Sequence, residues 1–272
     1  MRALLAACLL ALSPALTAAE RVVSLAPSMS EIMLELGAER RLVGLLDGGP
    51  RPPALAGVSS VGRYGQVELE TLLALKPDLL LLWPGSVPEA QQAQLRAFGI
   101  PLYVGEPHDL QALAEQFAEV GRLVGTEARG RELRERFITR LAELRQRYRR
   151  EPPLAVFYQV WNEPLYTLGG RQIVSDALRV CGARNVFADL QLPAPQVNVE
   201  AVLGRAPEVI IAGGEAELQR WRAWPQLPAV RLGQLWTVPD KGLERPSFQM
   251  LAATEQLCEL LARAAEPRVP KR

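Results

Sequence analysis

Histidine is almost missing from this chain: among 272 residues there is one, His108. A serine or cysteine hydrolase that relies on an imidazole base would have to use it. It lies in VGEPHDLQAL, just ahead of an expected helix, where a solvated polar residue is the simpler reading. The same scarcity excludes histidine-rich zinc or manganese cages. Lysine is nearly absent too, with Lys76, Lys241 and Lys271 alone beside the arginines, an excess that reads first as coding bias. Thirty-one basic residues face thirty acidic ones, a formal charge of +1, which leaves no global field to draw nucleic acid or an anionic membrane. Past the N-terminus no apolar run approaches the roughly 20 residues that cross a bilayer. No glycine-rich phosphate loop occurs either, because GGR near Gly169 has neither the lysine nor the spacing. These absences leave no catalytic residue, metal ligand or cofactor to nominate.

Cysteine is scarce as well: Cys8, Cys181 and Cys258. Residues 1–19 carry one early arginine, a Leu/Ala-rich run, and Thr17 and Ala19 at positions suited to signal-peptidase cleavage, so they read as a leader for export. LAAC formally resembles a lipoprotein cleavage box at Cys8, although almost no apolar segment precedes it. Beyond the leader Cys181 and Cys258 remain. In an oxidising compartment two such cysteines usually pair; two buried free thiols are the alternative.

What the chain does have is a repeat. QVELETLLALKPDLLL (66–81) and QVNVEAVLGRAPEVII (196–211) align without a gap at an offset of 130, matching Gln66 with Gln196, Glu70 with Glu200 and Pro77 with Pro207. Each copy reads as a helix stopped by proline and followed by a short apolar strand, over 79–83 and 209–212, covered on both faces. Upstream, 21–25 reads as a strand followed by a helix capped by Ser28 or Ser30 and stopped by Gly37. The second half opens likewise, with a strand over 154–160, a helix from 175 and a stop at Gly182. Between the halves, Leu133, Phe137, Leu141, Leu144 and Tyr148 mark one apolar stripe on a long helix ended by Pro152 and Pro153. The expected architecture is α/β: two Rossmann-like lobes, 20–126 and 151–272, joined by a single helix over 127–150, with a ligand cleft between the lobes. One continuous domain with an ordinary surface helix is the alternative.

Aromatic and Pro/Gly-rich segments fall at strand ends, where α/β folds place ligands. The candidates are Pro27 in SLAPS, Tyr64 in RYG, Trp83 in LWPGS, Trp161 and Tyr166 in VWNEPLYTLGG, and Asp240, Glu244 and Arg245 in PDKGLERPS. Trp83 or Trp161 could instead fill the core, and Arg245 could pair with a carboxylate near its own helix.

On RVVSLAPSMSEIMLELG, VELETLLALKPDLLLLW, LRVCGARNVFAD, PQVNVEAVLGRAPEVIIAGG, LERPS and the cysteine near the end of the last helix, essentially the whole mature chain resembles the class III substrate-binding proteins of bacterial ABC importers. Among these it is most similar to the cobalamin (vitamin B12) binders. The resemblance implies a monomeric periplasmic carrier with cobalamin or a related corrinoid as transported ligand and a permease dimer in the inner membrane as partner. It implies that Glu70 and Glu200 dock one lobe each onto permease arginines, that Cys181 and Cys258 form a disulfide, and that Tyr64, Trp83, Glu244 and Arg245 contact the ligand. The chain departs from the cobalamin binders in LLDGGPRPP, which lacks an aromatic before the Pro-Pro pair, in Ala194 where a tryptophan is expected, and in the early position of Asp240. A ferric siderophore, haem or cobinamide is thus the alternative cargo, and an exported α/β hydrolase using His108 the remote alternative function.

Overall fold

The computed structural model describes residues 18–49 and 51–265. Cys8 and all of the expected leader except Ala18 and Ala19 lie outside the described residues. The first half runs β1 (Val22–Ser24), α1 (Pro27–Glu35), β2 (Leu42–Asp47), β3 (Ser59–Arg63), β4 (Gln66–Val67), α2 (Leu69–Ala74), β5 (Leu79–Leu82), α3 (Glu89–Ala97), β6 (Leu102–Val104) and α4 (Leu110–Leu123). After α5 (Glu127–Arg147) the second half runs β7 (Leu154–Trp161), β8 (Tyr166–Thr167), α6 (Ile173–Val180), β9 (Ala183–Asn185), α7 (Val199–Arg205), β10 (Val209–Ala212), α8 (Glu215–Trp221), α9 (Pro228–Arg231), β11 (Leu235–Thr237) and α10 (Gln249–Leu261).

Each half builds its own sheet. The first has the order β4-β3-β2-β1-β5-β6, parallel except for the β3–β4 hairpin. In the second, β7 lies between β10 and β9, all parallel, β11 flanks β10, and β8 folds back antiparallel on the far end of β7. Strands such as Leu79–Leu82 and Val209–Ala212 are buried throughout, as expected where helices cover both faces of a parallel sheet.

The repeat proves to be one mechanical unit used twice. In both copies the residue before the proline, Lys76 or Ala206, takes a left-handed conformation, with φ of 47° and 45°. That ends the helix and turns the chain into the sheet. The acid after the proline then clamps the start of the neighbouring central strand. Asp78 accepts from the amides of Glu20 and Arg21 (2.8 and 2.9 Å), and Glu208 accepts from that of Ala155 (2.8 Å).

The long helix connects the halves but is not a bare strut. Leu133, Phe137, Leu141 and Leu144 are buried, and Phe137 packs edge-on against Phe117 of α4 and Phe248 at the start of α10. It spans about 31 Å at 1.5 Å per residue, and the largest apolar cluster runs beneath it from one lobe into the other. A disulfide joins Cys181, at the end of α6, to Cys258 in α10. Helix α1 departs from the expected serine cap. It opens at Pro27 on Ala26, because proline needs no amide partner in the first turn and its φ is already helical. Ser24 and Ser30 bond each other in the interior instead, at 2.8 Å.

The lobes also clasp each other in a reciprocal way. The first helix of each lobe offers a carboxylate to an amide at the start of the other lobe's last helix: Glu35 of α1 accepts from Phe248 N (2.9 Å), and Asp176 of α6 from Leu110 N (2.9 Å). Both carboxylates lie at the positive end of a helix dipole.

Candidate functional site

The nominated residues gather at the carboxyl ends of the parallel strands. Pro27 follows β1, Tyr64 sits at the tip of the β3–β4 hairpin, Trp83 follows β5, Trp161 ends β7, and Asp240, Glu244 and Arg245 follow β11. The hairpin depends on glycine: Gly62 has φ 110°, and a Cβ there would lie 2.2 Å from the carbonyl oxygen of Gln66. Its tip leaves Tyr64 63% exposed, with the hydroxyl near Gly85 in the turn after Trp83. Trp83 is half-buried against the core, so the two rings share one edge of the first lobe. In the second lobe Trp161 and Tyr166 are directly opposed across β7 and β8, which sets their side chains on one face. Trp161 is 62% exposed and does not fill the core.

Arg245 pairs not beside its own helix but across the cleft, with Glu31 of α1 at 2.9 Å. Pro27, Gly48, Glu31 and Arg245 line a cavity of about 40 Å³. Gly48 lets the loop after β2 lie on Pro27, since a Cβ there would sit 2.7 Å from the proline ring. Arg51, on the same wall, is held by Asp47 and the carbonyl of Val58. Asp240 serves the fold itself, since one oxygen caps the turn after it through Gly242 N (2.7 Å) and the other accepts from Gln256 of α10 (2.8 Å). Glu244 is exposed.

Several groups at this junction escaped sequence reasoning. Burial pushes the Glu35 carboxyl up to about 7, with the neighbouring Glu31 charge adding to it, against the opposing hydrogen bond from Phe248 N. Burial likewise pushes the Tyr158 phenol well above its ordinary range, reinforced by the charge of Glu244. The Tyr158 hydroxyl and Glu31 Oε2 are buried polar atoms with no hydrogen-bond partner among the described residues. The only sequence signal for any of them was the acidic residue in SMSEIM, which periodicity alone places on a helix and nowhere else.

Glu70 and Glu200 occupy the first turns of α2 and α7; both are exposed, and neither has an ion-pair partner among the described residues. His108 lies in the loop before α4, next to Asp109, which caps that helix through Ala112 N (2.7 Å). Among the described residues no three His, Cys, Asp or Glu side chains gather as a metal site would require, and no helix is long and apolar enough to cross a membrane.

Two α/β lobes, each with aromatic and polar residues at its strand ends and joined there by the Arg245–Glu31 pair, have the architecture of a substrate-binding protein. The chain belongs to the periplasmic binding protein family, which it matches over residues 22–241. It is 33% identical over 265 residues to the vitamin B12-binding protein of Vibrio cholerae serotype O1, covering 95% of this chain and 96% of that one. The corresponding protein of Yersinia pestis is 33% identical over 255 residues, covering 92% and 89%. Among solved structures, that of the periplasmic vitamin B12 binding protein BtuF of Vibrio cholerae superposes with a TM-score of 0.81 at 33% identity, over 92% of this chain and 99% of its own. The periplasmic haem-binding protein HutB of the same organism reaches 0.75 at 22% identity, over 89% and 98%, a likeness that bears on the fold alone.

Proposed function

We propose that this protein is a periplasmic carrier that captures cobalamin between its lobes and hands it to an ABC-type permease, with no covalent chemistry of its own. The observation that carries the reading is the likeness to vitamin B12-binding proteins along 95% of the chain, and the position of Tyr64, Trp83, Trp161, Tyr166 and Arg245 at or beside strand ends supports it. Flat aromatic surfaces suit the corrin macrocycle, and a few hydrogen-bonding groups suit its peripheral amides. Glu244 and Pro27 complete the rim, with Asp240 beside them holding the Glu244–Arg245 segment in place. The packed helical layer beneath both sheets favours a small closing motion.

Glu70 and Glu200 present one carboxylate per lobe, at equivalent positions of the repeat, to the two equivalent basic pockets of a two-fold permease. Their exposure and lack of partners support that role. Titration calorimetry with cyanocobalamin, cobinamide, haem and a ferric siderophore tests the ligand: heat with the corrinoids is expected, and heat with haem or the siderophore alone would overturn the assignment.

A further inference from the structure

Glu31 is the most buried carboxylate at the cleft, 6% exposed, and its two oxygens are treated differently. Oε1 accepts from Arg245 at 2.9 Å, whereas Oε2 is buried with no partner among the described residues. A buried acceptor without a donor carries a desolvation penalty, so a carboxylate held this way points to a donor that arrives from outside. The cavity beside it, bounded by Pro27, Gly48 and Arg245, has a volume of about 40 Å³. That is room for a water-sized or primary-amide-sized group and far too little for a macrocycle. Arg51 cannot swing in to satisfy the oxygen, because Asp47 and Val58 hold it.

We propose that Glu31 is a specificity-determining residue whose Oε2 accepts an N–H from a primary amide on the ligand's rim, with Arg245 holding the carboxylate in place. The inference deepens the carrier reading and rests on it. Its consequence is selection by charge. An amide presents the donor that Oε2 lacks. A carboxylate at the same point presents a second anion to a buried one and brings no donor to Oε2. Sites built to hydrogen-bond a substrate group reject analogues that lack it far more strongly than apolar pockets reject an extra methylene. Cobalamin carries amides around its ring and haem carries carboxylates, so this single oxygen separates the two ligand classes.

The test compares cyanocobalamin with the set of its monocarboxylic acids, in each of which one rim amide is hydrolysed, by calorimetry at pH 7.5 on the unaltered protein and on Glu31→Gln. At least one acid should bind the unaltered protein about tenfold or more weakly than cyanocobalamin, a step of about 1.4 kcal/mol. In Glu31→Gln, whose side-chain amide can donate as well as accept, that acid should come back to within about threefold of cyanocobalamin. Equal binding of every acid by the unaltered protein overturns the subsite and leaves the carrier reading intact. So does a discrimination ratio that survives in a folded Glu31→Gln protein. Should that variant fail to fold, the ratio on the unaltered protein still decides. No binding of cyanocobalamin by the unaltered protein overturns both.

Discussion

The two lobes clasp each other with the same device in different electrostatic company. Asp176 of α6, reaching the start of α4, has Arg179 at 2.9 Å and Arg145 at 4.0 Å. Glu35 of α1, reaching the start of α10, has Glu31 as its charged neighbour and is pushed up to about 7. A duplicated architecture thus preserves a backbone contact while the side chains around it diverge. The repeat itself teaches the same lesson. Asn198 caps α7 through Ala201 N (2.8 Å), whereas Glu68, at the matching position, gives α2 no side-chain cap and accepts from Thr71 instead. Symmetry is kept where the backbone turns and lost where side chains face different surroundings.

Covalent reinforcement is the largest difference, because the Cys181–Cys258 bond ties α6 to α10 within the second lobe. Replacing both cysteines by alanine should lower stability by roughly 4 kcal/mol on the chain-entropy model, read by urea unfolding under oxidising conditions; a loss below about 1 kcal/mol would show that packing alone secures that lobe.

Glu35 sharpens the contrast between the clasps. Its folded pKa lies above the unfolded value, so its stabilising contribution is fully present below about pH 4.5 and is lost as pH rises through about 7. Between those limits the protein should lose up to about 3 kcal/mol more than Glu35→Gln does, with Glu31 as the charged neighbour that adds to the shift. Parallel pH–stability curves for the two proteins would contradict this.

Asn198→Ala should cost about 1 kcal/mol and Glu68→Ala under about 0.5 kcal/mol, because only one of the two caps its helix; chemical denaturation of the pair would break the comparison if the costs were equal. The smallest effects belong to the left-handed residues. Lys76→Gly and Ala206→Gly should each stabilise by less than about 1 kcal/mol, and by similar amounts, since glycine removes the steric cost of that conformation while losing more chain entropy on folding.

Much of this was legible in the chain. The repeat, the prolines that end its helices, the apolar stripe of α5 and the glycine stops at Gly37 and Gly182, with φ of 66° and 68°, follow from local spacing and backbone chemistry. The candidate ligand segments were nominated because strand ends carry turn residues, and most of them do follow the parallel strands. What stayed hidden was pairing over distance. Glu31 and Arg245 are 214 residues apart, and no periodicity links them. The stripe of α5 announces a buried face but not that α4 and α10 cover it. Ser28 and Ser30 looked like caps because serine usually serves there, yet Pro27 opened the helix and left the serines to the interior. Nor did the sequence show that the two oxygens of Asp240 accept from Gly242 N and Gln256.

Cobalamin uptake into proteoliposomes bearing the partner permease, with Glu70→Arg, Glu200→Arg and the double reversal, tests most directly whether the lobes act as paired docking arms. Each single reversal should slow uptake by a similar factor of at least about tenfold, and the double should abolish it, with cobalamin affinity within about twofold throughout. Normal uptake by the double variant, or a loss explained by weakened cobalamin binding, would contradict the account.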